Sequence, residues 1–410
     1  MKKEITLSSY EDIVGIRTIE ELGLLAEKVK GKKAKMVNST AVGGGVAEIL
    51  ARLVPLMNEL GVDTKWEVIK GSEEFFDVTK TFHNALHGDK VEITPQMFDL
   101  YRRYIAINAS EMSFDEDIIL IHDPQPAGLI KCKEKGRGKW VWRCHIDLSN
   151  PHRGVWEFLE GYVKEYDASL FSSPAFAQIL PIPQYLVYPC IDPLSTKNKD
   201  LPPEVISRVL GKYGIDKERP IITQISRFDR LKDPVGVVEA YKLVKKRTDC
   251  QLVIAGGGAA DDPEAELVLT TVREKGKDDP DIHILVLPPF SDIEINALQR
   301  ASTIILQKSL REGFGLTVTE ALWKGKPVIG SAVGGIPLQI KHNLTGILVH
   351  SIEGAAFQIR YLLNNPEYAA RLGQYGREYV REKFLLTRLM RSYLLLFIAL
   401  DHLGEKVIEL

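Results

Sequence analysis

The sequence predicts two doubly wound α/β domains in tandem. Three observations lead there. The chain has 410 residues, more than one ordinary core holds. Apolar strand-like runs alternate with helix-spaced segments, the pattern of a parallel sheet covered by helices on both faces. That alternation runs twice. Between the two runs lie the proline-rich stretch Tyr188-Pro189-Cys190-Ile191-Asp192-Pro193 and a polar run ending at Pro202-Pro203.

In the first series, Lys35-Met36-Val37-Asn38 reads as a strand running into the glycine turn Gly43-Gly44-Gly45. Val46 to Leu60 then has helical apolar spacing and stops at Gly61. The run between Asp117 and Asp123 is a strand ended by Pro124, and the run between Lys139 and Asp147 is a strand ended by Ser149-Asn150-Pro151. Trp156 to Tyr166 is helical and Ala168 to Ser173 is a short strand. In the second series, strands are expected at Pro220 to Arg227, Gln251 to Ala255, His283 to Leu287, Thr303 to Gln307 and Lys326 to Gly330. Helices are expected at Gly236 to Lys246 and Asp292 to Ala301.

Bulk properties exclude several classes. The formal net charge is -2, from 53 basic and 55 acidic residues, so no dedicated nucleic-acid surface is expected. Cys132, Cys144, Cys190 and Cys250 show neither zinc nor disulfide spacing. The segment MKKEITLSSYED has no apolar signal core, and Leu394 to Leu400 is too short to span a membrane. A reducing cytoplasm is the expected setting.

The most informative motif is the pair Glu312 and Glu320 within SLREGFGLTVTEALWKGKPVIG. Glu312 precedes Gly313-Phe314-Gly315, and the loop continues through Leu316 and Thr317 into a short helix carrying Glu320. Exposed backbone N–H groups at a helix start suit a phosphate, and flanking carboxylates suit hydroxyl-rich groups beside it. That combination points to a sugar nucleotide. Thr317-x-x-Glu320 is also a capping box, which would leave Glu320 serving its own helix.

Arg227 and Lys232 in SRFDRLKDP follow a strand at the end where such sheets bind ligands. Two cations there can grip a diphosphate, although a solvated polar turn has the same composition. Gly43-Gly44-Gly45 fits the dinucleotide fingerprint only partly, because Glu48 stands at its last glycine position. The loop either approaches a ligand or simply makes a tight turn. The triplet Gly256 to Gly258 reads as a turn. His122, Asp123, Gln125, His145 and Asp147 end two consecutive strands, where they could bind sugar hydroxyls or satisfy turns. Lys80 to Asn84, with His83, is a weaker candidate of that kind. Asp115-Glu116-Asp117 spells a metal-dependent motif, but at the amino end of its strand, and reads as solvated charge.

With these residues in view, the C-terminal half resembles the retaining GT-B glycosyltransferases of family 4, the glycogen-synthase-like group. Glu312 and Glu320 with their glycine loop carry the resemblance, together with SRFDRLKDP, Gly334-Gly335-Ile336-Pro337 and Ile191-Asp192-Pro193. In the N-terminal half, VNSTAVGGGVAEIL, IHDPQPAGLI and WVWRCHIDLSNP resemble the trehalose-forming members, which join nucleoside-diphosphate glucose to free glucose. The resemblance implies two Rossmann-like domains facing each other across a deep cleft. It implies an acceptor-side domain over 1–193, a nucleotide-sugar domain over 194–384, and a helix over 385–410 returning to the first domain.

By the same resemblance, Arg227, Lys232, Glu312 and His145 form the catalytic set. Gly44, Gly45, Gly313, Phe314, Gly315, Leu316, Thr317 and Glu320 bind the donor. His122, Asp123, Gln125 and Asp147 bind the acceptor. No metal is required for the chemistry, and a bound magnesium is compatible with it. The implied partners are nucleoside-diphosphate glucose with glucose or trehalose, and no nucleic acid or membrane; a homodimer is compatible with the same reading. A sugar-phosphate or glucan acceptor and a non-catalytic sugar-nucleotide sensor are the alternatives.

Overall fold

The computed structural model describes residues 5–42, 44–134, 137–257 and 263–403. The chain divides into two compact units, Met1–Cys190 with Leu386–Leu410, and Ile191–Leu385.

The first unit is built on β1 (Lys33–Asn38), β2 (Asp63–Val68), β3 (Ile118–His122), β4 (Lys139–Arg143), β5 (Ala168–Phe171) and β6 (Gln184–Leu186). All pairings are parallel, in the order β2-β1-β3-β4-β5-β6. Val37, Ile119, Ile121, Trp140 and Trp142 share a core with Phe75, Phe82 and Tyr101 from the helices Glu73–Leu86 and Pro95–Glu111. Their alternate neighbours Met36, Leu120 and Val141 are buried as well, so both faces of the sheet are covered. Each such side chain contributes about 1.5–3 kcal/mol on burial. The helix Leu386–Asp401 packs on Ile16–Glu27 and Gly45–Glu59. Arg391 to Glu21 and Lys32 to Asp401, both at 2.6 Å, tie down its second turn and its C-terminal end.

The second unit is built on β7 (Ile221–Ile225), β8 (Gln251–Gly257), β9 (Ile282–Leu287), β10 (Ile304–Gln307), β11 (Val328–Ser331) and β12 (Ile347–Val349). This sheet too is parallel, in the order β12-β11-β10-β7-β8-β9. Ile222, Leu252 and Ile254 pack with Val237, Tyr241 and Ile359. Ile221, Ile225 and Val253 pack with Val209, Leu210 and Leu298. The alternation sends successive strand residues into two different cores, as a doubly wound sheet requires.

Strand order reverses between β1 and β3 in the first unit and between β7 and β10 in the second. Crevices at such switch points, outside the carboxyl ends of the strands, are where these folds bind ligands. Gly44 and His122–Gln125 follow β1 and β3; Arg227–Lys232 and Lys308–Gly315 follow β7 and β10.

Several sequence expectations shift here. The run after Lys139 leaves the sheet at Arg143, so His145 and Asp147 lie beyond the strand rather than at its last residues. Gly256 and Gly257 are not a turn but the end of β8. A Cβ on Gly256 would stand 1.7 Å from the Ser226 carbonyl oxygen, so only glycine fits beside the β7 strand end. Gly258 falls outside the described residues. The polar stretch after Pro193 is ordered: Asn198 is buried, donates to the Asp192 carbonyl and accepts from Lys324 Nζ at 3.0 Å. Glu116 is not solvated charge. It is buried and stands 3.5 Å from the buried Lys35 ammonium, while Asp115 remains exposed.

Candidate active site

After β7 the chain turns through Ser226-Arg227-Phe228 into a single 3-10 turn, Arg230–Lys232. Asp229 accepts from the Leu231 N–H at 2.7 Å and starts that turn. Gln224, buried in β7, donates to the Lys232 carbonyl at 2.7 Å and fixes where the lysine leaves the backbone. Asp233 adopts a left-handed conformation, φ 49°, and accepts from Gly236 N–H to cap the next helix. Lys232 Nζ then reaches across to β10's loop and donates to both Glu312 oxygens, at 2.7 and 2.8 Å. Ser309 Oγ adds a third bond to that carboxylate at 3.0 Å. Two of the three ammonium N–H groups are thus spent on Glu312, and the third has no hydrogen-bond partner among the described residues. Arg227 is different: it pairs with Asp229 at 3.0 Å while its side chain stays 70% exposed.

The loop after Glu312 is held by glycines. Gly315 has φ +84°, and a Cβ there would press on Glu312 Cγ at 3.0 Å. Gly334, φ +52°, would place a Cβ 1.7 Å from the Glu312 carbonyl oxygen. A Cβ on Gly335 would be 2.5 Å from the Gly313 carbonyl oxygen. The Gly334-Gly335 pair is therefore the seat on which the Glu312 loop rests. Buried Gln339 donates to the Phe314 carbonyl and receives the Thr319 hydroxyl, pinning the loop from behind. Phe314 packs its ring on Phe384, so it can offer a ligand its backbone only.

The helix Leu316–Trp323 is capped by Gly315 in the left-handed conformation. Thr317 is the second helical residue and Glu320 the fifth. The expected capping box is absent, because a box needs Thr317 at the cap itself. Thr317 Oγ1 instead donates to Gln307 Oε1 at 3.3 Å. Glu320 is buried one turn from Lys324. Burial pulls the Lys324 ammonium down to about 7, against the opposing pull of the Glu320 carboxylate.

In the first unit, His122 ends β3 and its Nδ1 lies 3.2 Å from His145 Nε2, with the rings stacked. Asp123 takes a left-handed φ of 69°, and its carboxylate accepts from the His145 backbone N–H at 2.8 Å. This joins the ends of β3 and β4. Burial holds His122 down to about 3, with Arg143 adding to the effect, and pushes Asp123 up to about 7. His145 is likewise held well below its usual range by burial, then by Arg143 and His122. Both rings are neutral at pH 7; with His122 Nδ1 and His145 Nε2 engaged with each other, His122 has Nε2 and His145 has Nδ1 left to offer.

The remaining expected residues separate. Gln125 Oε1 is buried without a hydrogen-bond partner among the described residues. Asp147 accepts from Ser149 N–H at 2.9 Å, the local turn that its plain reading foresaw. Gly44 caps the helix Gly45–Glu59 with open space around it, and Gly43 lies outside the described residues. Lys80 to Asn84 sits within the helix Glu73–Leu86, with Phe82 in the core. Sequence reasoning missed Lys308, which pairs with Asp233, and Gln339 and Arg143. A charged residue inside the apolar run WVWRCHI was the available signal for Arg143. Among the described residues, no group of three or more metal-ligating side chains gathers, and no helix is long and apolar enough to cross a membrane.

Comparison with known proteins places these features. The family described as "Trehalose synthase, N-terminal domain" matches residues 36–178, and "Glycosyl transferases group 1" matches 207–379. A trehalose synthase from Pyrococcus horikoshii is 45% identical over 398 residues, 95% of each chain. One from Rubrobacter xylanophilus is 42% identical over 402 residues, 95% of this chain and 96% of that one. Among solved structures, a sucrose-phosphate synthase from Thermosynechococcus elongatus superposes with a TM-score of 0.72 at 16% identity, covering 91% of this chain and 100% of that chain; it shares the GT-B fold. The chain belongs to the trehalose synthase family of GT-B glycosyltransferases.

Proposed function

We propose that this protein is a retaining glucosyltransferase that joins the glucosyl group of a nucleoside-diphosphate glucose to free glucose, giving α,α-trehalose and the nucleoside diphosphate. The observation that carries this reading is the Lys232–Glu312 contact beside Arg227 at the β7/β10 switch point, in a chain 45% identical to a trehalose synthase.

In this reading the diphosphate meets Arg227, the spare N–H of Lys232 and the backbone N–H groups of Leu316 and Thr317 at the helix start. Glu312 faces the donor glucose hydroxyls and Glu320 the ribose. His145, neutral, hydrogen-bonds the donor glucose; His122, Asp123 and Gln125 serve the acceptor. The C1–O bond to the diphosphate loosens to an oxocarbenium-like centre, and its electron pair leaves with the phosphate. Arg227 and Lys232 stabilise that growing charge with no reorganisation at the moment of reaction. The acceptor hydroxyl attacks from the same face, and the departing phosphate oxygen takes its proton. Glu312 is then a binding and positioning carboxylate rather than a nucleophile, consistent with both its oxygens being held by Lys232 and one by Ser309 as well.

The test is a substrate panel. UDP-, ADP- and GDP-glucose are each supplied with glucose, glucose 6-phosphate or maltooligosaccharide, and maltose is supplied alone. Trehalose with one equivalent of nucleoside diphosphate, from free glucose only, is the expected result. Trehalose from maltose alone would assign an isomerase instead. A phosphorylated disaccharide or an extended glucan would move the acceptor. No diphosphate release with any pair would refute the transferase reading.

A further inference from the structure

Arg143 ends β4 and is 0% exposed. Its guanidinium carries five N–H donors, yet none of its three nitrogens has a hydrogen-bond partner among the described residues. Asp123, the carboxylate that acts on it, has an oxygen committed to the His145 backbone N–H. Burial also raises Asp123 to about 7, so that carboxyl does not fully neutralise the arginine near neutral pH. Leaving an arginine charge buried and unpaired is strongly unfavourable. Beside it lies a cavity of about 10 Å³, lined by Arg143, His122, His145 and Tyr393 together with apolar side chains, among them Val46 and Leu389 from the helices Gly45–Glu59 and Leu386–Asp401. That is room for about one water-sized particle. A carboxylate or phosphate is too large, and a water brings no charge.

We propose that the first unit holds a single halide-sized anion, chloride in ordinary media, bound by the Arg143 guanidinium in this cavity beside His122 and His145. The anion has a further consequence for the histidines. His122 Nε2 is buried without a partner, while His122 Nδ1 and His145 Nε2 face each other at 3.2 Å and share one proton. An anion accepting from His122 Nε2–H leaves His122 Nδ1 bare. The shared proton then sits on His145 Nε2, and His145 Nδ1 becomes an acceptor. An anion thus selects one tautomer of the pair, with no change in net charge on either ring. With Nε2 on the anion and Nδ1 on His145, His122 acts on the acceptor of the proposed reaction only through His145, and the tests of the anion site do not depend on turnover.

Crystals of the full chain grown in sodium bromide, measured at the bromine edge, test the site. An anomalous peak in the cavity within hydrogen-bond reach of Arg143 is expected. In solution, the unfolding midpoint should be higher in sodium chloride than in sodium gluconate of equal ionic strength, saturating as a single site does. Arg143→Met should abolish that difference. No cavity peak, or bromide on the surface only, would overturn the proposal, as would equal midpoints in the two salts. If Arg143→Met does not fold, the wild-type bromide map still decides.

Discussion

In the second unit, the cations after β7 and β10 face carboxylates: Lys232 with Glu312, Arg227 with Asp229, Lys308 with Asp233. In the first unit, Arg143 at the end of β4 is buried with no hydrogen bond from its side chain to a described residue. The two switch points therefore prepare for ligands by different physics. The second cluster is compensated before anything binds, so its geometry is set by ion pairs and a glycine seat, and an arriving anion finds one spare lysine N–H and an exposed arginine. The first keeps a cation buried, and burial, with that cation adding to it, holds two neighbouring imidazoles neutral.

Removing the cations of the second unit should have the largest effect. Arg227→Ala should lower kcat about 10²–10³-fold, the usual cost of one preorganised donor at developing charge. Because Arg227 is 70% exposed, its unfolding free energy should change by less than about 0.5 kcal/mol. Lys232→Ala should cost as much in kcat and also about 3 kcal/mol of stability, since it strands a buried carboxylate. Adding Glu312→Gln should restore the stability and not the turnover. Recovery of both in the double variant would make the pair purely structural.

The glycine seat comes next. Gly334→Ala drives a Cβ onto the Glu312 carbonyl oxygen and should cost about 1–3 kcal/mol in chemical denaturation, with a marked loss of donor affinity. Gly44→Ala meets nothing within 4 Å and should fold like wild type. Equal effects at the two positions would contradict the seat.

The first unit is probed by pH. Asp123 has its folded pKa raised above the usual carboxylate value, to about 7. Its contribution to stability is therefore full below about pH 4, and is lost as pH rises through 7. Asp123→Asn should remove this fall, so that denaturation curves of the two proteins diverge between pH 4 and 7. His122 works oppositely, holding its contribution above about pH 6.5 and losing it as pH falls toward 3. Parallel wild-type and Asp123→Asn profiles would contradict the burial of that carboxyl.

The smallest effect is expected at Thr317. A capping threonine costs about 1 kcal/mol when removed. At the second helical position, with Gly315 as the cap, Thr317→Val should cost less than about 0.5 kcal/mol in urea denaturation.

These contrasts also mark where the sequence was readable. β3 and β4 carry continuous apolar runs, Ile118–Ile121 and Trp140–Trp142, because both their faces are buried, whereas β1, with Lys33 and Lys35 in it, was readable only from the glycine turn that follows. β2, Asp63–Val68, alternates charge with apolar residues at the sheet edge and gave no such run. The GT-B fold followed from the doubled alternation together with the family resemblance. Glu312 and Lys232 were legible as residue types at a strand end, but not as partners, since 80 positions separate them. The meaning of Gly334 was hidden for the same reason: its steric contact is with a backbone oxygen brought there only by the tertiary fold. The Thr317 capping box failed because the helix begins one residue past Gly315, and a local motif cannot tell which residue turns first.

Following one labelled carbon decides whether glucosyl transfer to glucose takes place. Nucleoside-diphosphate [1-¹³C]glucose and unlabelled glucose are incubated with the protein, and the product is read by NMR. The expected product is α,α-trehalose labelled at one anomeric carbon, with diphosphate released in equal amount. Label in a reducing disaccharide, in a β-linked anomeric carbon or only in free glucose would contradict it.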